Sequence, residues 1–184
     1  MGMSFLPMRY LVGTDTFTQS GAKVIEDPYT NERICLVPAL YPDVAIIHVQ
    51  QCDVHGNARV LGAGVAPMEI AMSSKSVIIS TEEIIDAEAI RRQPQRTTIP
   101  YYLVDAVVVA PFGCYPGSTP GLYAGDIEHW LEFMAAETQG KTDEYLEKWV
   151  YSVASHEEMM EKRVGKEKLS ALKAAETVKE GYYE

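Results

Sequence analysis

Residues 36–62 carry the feature that most constrains the fold, two apolar runs joined by a tight polar turn. Residues 44–49 have apolar side chains on both faces of a strand, a pattern typical of a central strand in a covered α/β sheet. The turn that follows contains Asp53, Gly56 and Asn57, which form turns readily because Asn and Gly tolerate positive φ. A second strand-like run follows directly. This segment predicts an α/β domain.

Further strands are predicted on both sides of this segment. Apolar runs bounded by turn residues indicate strands at 23–26, 33–37, 77–79 and 104–110. The last of them ends at a loop rich in Pro and Gly, residues 111–117. Open α/β sheets bind their ligands at the carboxyl ends of the strands, so this loop is the predicted place for a ligand site.

Two helix signals precede the C-terminal region. Residues 65–72 have the spacing of a short helix, with Ala66, Ile70 and Ala71 facing a core. Residues 80–83, with the sequence S-T-E-E, match the S-x-x-E pattern of a helix start. The paired acids are then most simply explained as complementing the helix dipole.

From residue 126 onward the apolar period is helical, so 126–184 is predicted to be the mainly helical part of a single domain, 1–184. Gly140 separates two amphipathic helices. Their apolar stripes are formed by Ile127, Trp130, Leu131, Met134 and Ala135 and by Tyr145, Leu146, Trp149, Val150 and Val153.

A third and a fourth helix are predicted after these. Ser155 and Glu158 match a capping pair at the start of the third helix, which Gly165 interrupts or ends. Residues 166–179 are charged at most positions and predict a surface helix. Its apolar anchors are Leu169, Leu172 and Val178.

The composition excludes several classes of function. A net charge of −10 argues against nucleic acid binding, which requires a basic surface. No stretch approaches the roughly 20 apolar residues of a membrane span, and the N-terminus lacks the pattern of a secretion signal. Three widely spaced cysteines suit a reduced compartment, so we expect a cytoplasmic protein.

Isolated motifs in the central segment do not predict a metal or a catalytic group. Cys52 and His55 form a C-x-x-H pattern, but a structural zinc site needs four well-spaced ligands, so no metal site is predicted. His48 lies in an apolar strand, which favours a hydrogen-bonded core residue over a catalytic base. Cys52 or Cys114 would act as a nucleophile only with a lowered thiol pKa.

Several motifs occur together, in the order and spacing of a known family. They are F-L-P-M-R, G-T-D, L-V-P-A-L-Y-P-D-V-A-I-I-H, D-V-H-G-N-A, E-E-I-I-D, V-D-A-V-V-V-A-P-F-G and G-L-Y-A-G-D. The chain resembles the alpha subunit of family I coenzyme A transferases, closest to the glutaconate type. The family's subunit has an N-terminal portion before F-L-P-M-R, including a glycine-rich acyl-CoA loop. The chain therefore resembles the C-terminal part of such a subunit.

The resemblance implies both a fold and a reaction. The fold is a three-layer, mostly parallel α/β sheet, incomplete at its N-terminus, with C-terminal helices. The reaction moves coenzyme A, a substrate rather than a permanently bound cofactor, between an acyl-CoA and a free carboxylic acid. A glutamate attacks the thioester in this family. In the glutaconate type this glutamate belongs to the beta subunit, so it is not assigned to Glu82 or Glu83, and we expect the isolated chain to be inactive.

The implied partners are a beta subunit, an N-terminal alpha fragment, and acyl-CoA and carboxylic acid substrates. A truncated sheet exposes a strand edge and an apolar face, so we expect an oligomer. Two alternatives stay open. The same fold serves acyl-CoA hydrolases and decarboxylases, and the chain could also be a non-catalytic assembly domain.

Arg9 is the leading candidate for substrate binding. It lies in an apolar entry segment that would bury it, and a buried guanidinium requires an anionic partner. The functional interpretation is a bidentate clamp on the carboxylate of an acyl group, and the alternative is an internal ion pair with Asp15 or Asp43. Gly13, Thr14 and Asp15 supply a flexible turn, a hydroxyl and a carboxylate that suit the wall of the same pocket.

Overall fold

The computed structural model describes residues 2–62 and 64–176, which form two sheets and a set of helices. The strands are β1 (Phe5–Met8), β2 (Lys23–Glu26), β3 (Arg33–Pro38), β4 (Val44–Cys52), β5 (Ala58–Arg59), β6 (Ser76–Ile84) and β7 (Ala106–Val109). The α-helices are α1 (Asp15–Gln19), α2 (Pro67–Ser73), α3 (Ala87–Arg92), α4 (Ile127–Thr138), α5 (Thr142–Leu146), α6 (His156–Arg163) and α7 (Gly165–Ala175). Short 3₁₀ turns cover Pro94–Arg96 and Tyr101–Leu103, and α5 continues into a π-helical turn, Glu147–Tyr151.

The central sheet has the strand order β5-β4-β6-β7. Strands β4, β6 and β7 are parallel, with Ile46 opposite Ile78 and Ile78 opposite Ala106. Strand β5 pairs antiparallel with β4 at one edge. The run predicted at 44–49 is therefore an inner strand, and the predicted α/β class with a mostly parallel sheet is confirmed.

One face of the central sheet carries the core. Side chains alternate between the two faces of a strand, so neighbouring residues have opposite environments. The innermost residues are Ala45, Val49, Val77, Ile79 and Ile99, each at most 4% exposed. On the other face, Val44, Ile46 and Val108 are 51%, 75% and 50% exposed. Among the described residues, one face of the sheet is therefore buried, and part of the other face is exposed at these three side chains.

A separate antiparallel sheet of order β1-β3-β2 precedes the central sheet. The strand, turn and strand predicted at 23–37 are confirmed, and Asp27 Oδ1 fixes the turn by accepting from the Tyr29 N–H at 2.8 Å. The opening segment forms the short strand β1, but its predicted burial is wrong. Phe5 and Leu6 are 46% and 50% exposed, because β1 is an edge strand of this small sheet.

The helix start predicted at 80–83 is wrong, because these residues belong to β6. Ser80 lies opposite His48 of β4 on one side and opposite Val108 of β7 on the other. A helix start leaves its first backbone N–H groups free for capping, whereas strand pairing on both sides uses them. Strand β6 therefore places Glu82 in the interior of the protein.

Helix α2 confirms the short helix predicted at 65–72, but only part of its predicted core face. Ala71 is 2% exposed and packs on the sheet. Ala66 and Ile70 are exposed. Ala66 lies outside the helical turn, at φ 54, and Pro67 begins the helix, so the buried face is narrower than the pattern predicts.

The C-terminal helices are confirmed, but α4 turns an unexpected face to the interior. Gly140, at φ 68, separates α4 from α5, and Ser155 caps α6 by accepting from the Glu158 N–H at 3.2 Å. The residue that α4 buries is His129, at 4% exposure. Its predicted apolar stripe is 50–68% exposed at Ile127, Trp130, Leu131 and Met134.

Helix α7 accounts for most of the surface helix predicted at 166–179. Gly165, at φ 63, separates it from α6. Leu169 and Leu172 are half-buried, and the third predicted anchor, Val178, lies outside the described residues. No helix within 2–62 and 64–176 is long and apolar enough to span a membrane.

Candidate active site

The turn after β4 is built as the sequence predicts. Asp53 Oδ1 accepts from the backbone N–H groups of His55 and Asn57, both at 2.9 Å. Burial raises the pKa of Asp53, but the hydrogen bond from the Asn57 side chain and these two backbone hydrogen bonds outweigh it and hold the pKa below its usual range. Gly56 has φ 100, and a Cβ there would lie 2.9 Å from Val104 Cβ. The three turn residues fix the carboxyl end of β4.

A polar cluster lies on one face of the central sheet, between the middle of β4 and the carboxyl half of β6. His48 Nδ1 is 2.9 Å from Ser80 Oγ, and His48 Nε2 is 2.8 Å from Glu82 Oε1. The parallel register places His48 opposite Ser80, so these side chains share one face of the sheet. The Glu82 side chain is only 6% exposed and that of His48 is 15% exposed. We call this group, with the loop residues described next, the Glu82 cluster.

The loop after β7 closes over Glu82. The Phe112 N–H donates to Glu82 Oε2 at 2.6 Å, and the Tyr123 hydroxyl donates to Glu82 Oε1 at 2.6 Å. Tyr123 is 1% exposed, and its hydroxyl also accepts from the Cys114 N–H at 3.2 Å. Both carboxylate oxygens of Glu82 therefore accept hydrogen bonds. Through them the Glu82 side chain holds Phe112 and Tyr123, which lie toward the two ends of the loop.

His48 and Glu82 each stabilise the charged form of the other. Interaction with the Cys114 thiol and with Glu82 raises the pKa of His48 to about 9, against the effect of burial. Burial raises the pKa of Glu82, but the hydrogen bonds from His48, Tyr123 and the Phe112 N–H outweigh it and hold the pKa below its usual range. At neutral pH the pair is an imidazolium and a carboxylate, and both His48 nitrogens donate.

One cavity adjoins Glu82 and another adjoins His48. A cavity of about 340 Å³ is lined by residues that include Glu82, Pro111, Phe112, Tyr123 and Lys173. A smaller one, of about 160 Å³, is lined by residues that include His48, Gln50, Cys114, Ser118 and Thr119. The predicted ligand loop at 111–117 contributes to both. Tyr123 was not predicted as a site residue, and its only signal in the sequence is its place in the motif G-L-Y-A-G-D.

Arg9 does not have the environment predicted for it. Its side chain is 72% exposed, and Nη2 lies 3.3 Å from a carboxylate oxygen of Glu32. The predicted burial is wrong, and the ion-pair partner is neither Asp15 nor Asp43. Arg9 follows an edge strand of the small sheet, which accounts for its exposure. Within the described part of the chain, no hydrogen bond or ion pair joins Arg9 to Glu82.

The other predicted substrate-binding residues form a helix start. Gly13 has φ 89, and Asp15 is the first residue of α1. Thr14 is the N-cap: its hydroxyl accepts from the Phe17 N–H at 3.2 Å and donates to the Leu11 carbonyl at 2.8 Å. The Thr14 hydroxyl is thus already used within the segment.

The C-x-x-H pair does not form a site. Cys52 is fully buried, whereas His55 is exposed. Burial raises the pKa of the Cys52 thiol to about 11, which makes it a poor nucleophile at neutral pH. No group of three or more His, Cys, Asp or Glu side chains in the described ranges is placed to hold a metal ion.

The family model for coenzyme A transferase matches residues 1–110. The chain belongs to the coenzyme A transferase family. The solved structure of glutaconate coenzyme A-transferase from Acidaminococcus fermentans is similar, with a TM-score of 0.85 and 33% identity over 93% of this chain and 59% of that chain. The predicted fold class and the family resemblance are thereby confirmed.

Curated relatives extend this comparison. A protein of Archaeoglobus fulgidus is 46% identical over 98% of this chain and 40% of its own length. A glutaconate CoA-transferase subunit of Acidaminococcus fermentans is 33% identical over 88% of this chain and 56% of its own length. The cholesterol ring-cleaving hydrolase IpdA subunit of Rhodococcus jostii is 26% identical over 78% of this chain and 56% of its own length. The chain thus spans between 40% and 56% of the length of these relatives.

Proposed function

We propose that this chain forms part of the alpha subunit of a coenzyme A transferase, which moves coenzyme A between an acyl-CoA and a free carboxylic acid. The observation that carries the proposal is the likeness to glutaconate coenzyme A-transferase, with a TM-score of 0.85 at 33% identity. Coenzyme A is a substrate in this proposal, and no permanently bound cofactor takes part. The glutamate nucleophile is on a partner beta subunit.

The environment of Glu82 supports placing the nucleophile elsewhere. A nucleophilic carboxylate must present an oxygen to the thioester carbon. The Glu82 side chain is 6% exposed, and both its oxygens accept short hydrogen bonds. Glu82 is better suited to positioning His48 and the loop after β7.

Arg9, Gly13, Thr14 and Asp15 are proposed to contact the acyl substrate. Exposed ion pairs contribute only about 0–1 kcal/mol, so a substrate carboxylate can displace Glu32 from Arg9 at small cost. The guanidinium can then form a bidentate pair with the incoming carboxylate.

The open face of the central sheet supports association with a further polypeptide. Val44, Ile46 and Val108 expose apolar surface there, and β7 pairs with β6 alone within the described residues. We propose that an N-terminal portion of the alpha-subunit fold covers this face and that a beta subunit completes the assembly. The assembly is proposed to be a cytoplasmic oligomer.

A hydrolase subunit is the second candidate function. The relative from Rhodococcus jostii, named a ring-cleaving hydrolase subunit, aligns with 78% of this chain. A hydrolase needs water rather than an acceptor acid, so the two candidates differ in their products.

The experiment that tests the proposal reconstitutes the assembly. This chain is mixed with an N-terminal alpha portion and a beta subunit, both taken from the same source genome, and supplied with acyl-CoA and a panel of free acids. Mass spectrometry should detect the thioester of the acceptor acid only when all the components are present. Free coenzyme A formed without an acceptor would favour the hydrolase, and no reaction would indicate a non-catalytic assembly domain. Turnover by the isolated chain, lost in Glu82→Ala, would contradict the assignment of the nucleophile.

A further inference from the structure

A second buried polar network lies among the C-terminal helices, and the proposed function leaves it without a role. Its centre is His129 of α4, which is 4% exposed. The Tyr115 hydroxyl donates to Asp126 Oδ2 at 2.6 Å, and its oxygen lies 3.1 Å from His129 Nδ1. On the other side of the ring, His129 Nε2 is hydrogen-bonded to the Tyr145 hydroxyl. One imidazole therefore joins the loop after β7, the start of α4 and helix α5.

The hydrogen bonds around this ring suit its neutral form. Because the Tyr115 hydroxyl gives its hydrogen to the Asp126 carboxylate, its oxygen accepts from the His129 Nδ1–H. In the neutral ring, Nε2 then carries the lone pair and accepts from the Tyr145 hydroxyl. In the imidazolium, Nε2 is a donor too, so the Tyr145 hydroxyl has to turn and accept. Its hydrogen then has no acceptor among the residues that the structure describes.

The charged groups around the ring also oppose a proton on it. Besides the two tyrosines, the groups that face the ring are Asp126, Glu132, Trp149, Arg163 and Lys168. Lys168 Nζ lies 2.8 Å from Asp126 Oδ2, and Arg163 pairs with Glu132, so both carboxylates already have a cation. Burial and the charges of Arg163 and Lys168 lower the pKa of His129. The charges of Asp126 and Glu132 act in the other direction, and the pKa stays below its ordinary 6.5.

We propose that His129 is a pH-sensitive switch, which holds the C-terminal helices on the loop after β7 when neutral and releases them when it gains a proton. Tyr115 lies in that loop between Phe112 and Tyr123, the two residues that hydrogen-bond Glu82. Release of the helices removes a support from the loop, so acid pH should loosen the cover over Glu82 before the central sheet unfolds. This goes beyond the proposed function and does not rest on it, because this chain supplies every group in the network.

The sign of the pH dependence follows from the neutral ring. A histidine whose pKa is lowered by folding binds a proton more tightly in the open form, so opening becomes easier as the pH falls below about 6.5. One proton is taken up, so the opening equilibrium should rise by up to tenfold for each pH unit until the folded pKa is reached.

Hydrogen exchange of the isolated chain, read by mass spectrometry from pH 5 to 8 and corrected for intrinsic exchange rates, measures this opening. Protection of residues 127–138 and 142–151 should fall as the pH is lowered through this range. Protection of residues 44–52 and 76–84, in the central sheet, should not fall. An equal loss in all four segments, or no loss in the helices, would overturn the inference.

Two variants test whether His129 is the sensor. His129→Gln keeps a donor and an acceptor but cannot be charged, so its helices should be equally protected at pH 5 and pH 8. His156→Gln is the matched control, because His156 also belongs to the C-terminal helices, with Nε2 3.2 Å from the Pro111 carbonyl oxygen. This variant should keep the pH dependence. A pH dependence that persists in His129→Gln, or that disappears in His156→Gln, would contradict the inference.

Nuclear magnetic resonance of the His129 ring tests the network directly. The ring nitrogen shifts of the wild type should show the Nδ1–H tautomer at pH 7.5 and a titration midpoint below 6.5. Tyr145→Phe removes the donor to Nε2 and should raise the midpoint, because that donor stabilises the neutral ring. Tyr151→Phe is the control, since Tyr151 is 69% exposed and should leave the midpoint unchanged. A wild-type midpoint at or above 6.5, or equal midpoints in wild type and Tyr145→Phe, would overturn the inference. The wild-type midpoint decides the matter if His129→Gln does not fold.

Discussion

His48 on β4 and Glu82 on β6 form a buried ion pair, with Nε2 2.8 Å from Oε1. The pair joins the middle of β4 to the carboxyl half of the neighbouring parallel strand β6, and Glu82 also holds the loop after β7. Removing one partner of such a pair leaves an uncompensated charge in the interior, which is strongly destabilising. The stability of this corner of the sheet should therefore depend on pH through His48.

The first prediction is that His48 contributes a stability that falls at alkaline pH. Its pKa is about 9 in the folded chain and 6.5 as the reference value, so folding favours the protonated form. The contribution is fully present below about pH 6.5 and is lost as the pH rises through about 9. His48→Gln should reduce the free energy of unfolding by about 2–3 kcal/mol at pH 6 and by much less at pH 9.5.

Urea unfolding of wild type and variant at pH 6, 7.5 and 9.5 measures this difference. His55→Gln is the control, because His55 is exposed and should change the free energy of unfolding little at each pH. An effect of His48→Gln that is equal at all three pH values would show that packing, and not the ion pair, accounts for it.

The second prediction concerns the Tyr123 hydroxyl. Tyr123→Phe removes a donor to Glu82 and the acceptor of the Cys114 N–H, and leaves the ring in place. Because these groups are buried, the free energy of unfolding should fall by about 1–3 kcal/mol. Thermal unfolding measures the change. Tyr29→Phe is the matched control, since Tyr29 is 93% exposed, and a similar loss in both variants would contradict the prediction.

The third prediction uses the close approach of Gly113 to His48. A Cβ at Gly113 would lie 2.6 Å from His48 Cε1 and 2.9 Å from the Ala110 carbonyl oxygen. Gly113→Ala must therefore displace the imidazole or the loop, and overpacking of this kind costs about 1–3 kcal/mol. Nuclear magnetic resonance of the His48 ring should show a pKa closer to 6.5. Gly21→Ala serves as control, because its Cβ would meet Pro38 Cγ at an ordinary 3.7 Å. An unchanged His48 pKa in Gly113→Ala would refute the contact.

The fold could be predicted from the sequence where local pattern and tertiary context agree. The apolar run of β4 and the turn that contains Asp53 and Gly56 were both predicted correctly, because each is encoded by neighbouring residues. Gly140 and the Ser155 cap are local signals of the same kind. The S-x-x-E pattern failed because pairing of β6 with strands distant in sequence overrides a local preference.

The candidate site was harder to predict because it is assembled from distant segments. His48 and Glu82 are separated by 34 positions, and Tyr123 by 41 more, so no spacing rule joins them. The general rule for open sheets predicts a ligand site at the loop after β7, and residues of this loop line the cavities beside Glu82 and His48. The predicted burial of Arg9 was wrong, since an apolar neighbourhood in the chain does not ensure burial at the edge of a small sheet.

The fourth prediction tests the open face of the central sheet. Ile46 is 75% exposed, so Ile46→Lys should change the free energy of unfolding of the isolated chain by less than about 0.5 kcal/mol. The same change should weaken binding to an N-terminal alpha portion by tenfold or more, because it places a charge in an apolar interface. Val54→Lys, at a site 70% exposed on the turn after β4, is the control. Equal binding by all three proteins in sedimentation or calorimetry would exclude this face as the interface.

The last prediction separates the two roles of Arg9. The ion pair with Glu32 is exposed on both sides, so Arg9→Lys should leave the melting temperature nearly unchanged. If the guanidinium binds an acyl carboxylate, the ammonium of lysine cannot reproduce the bidentate pair. The loss of one charge-assisted hydrogen bond, about 1.5–3 kcal/mol, corresponds to a fall of roughly ten- to a hundredfold in kcat/KM of the reconstituted enzyme. Glu32→Gln removes the surface ion pair but keeps Arg9, and it should retain activity. Full activity in Arg9→Lys, or equal losses in both variants, would show that Arg9 does not contact the substrate.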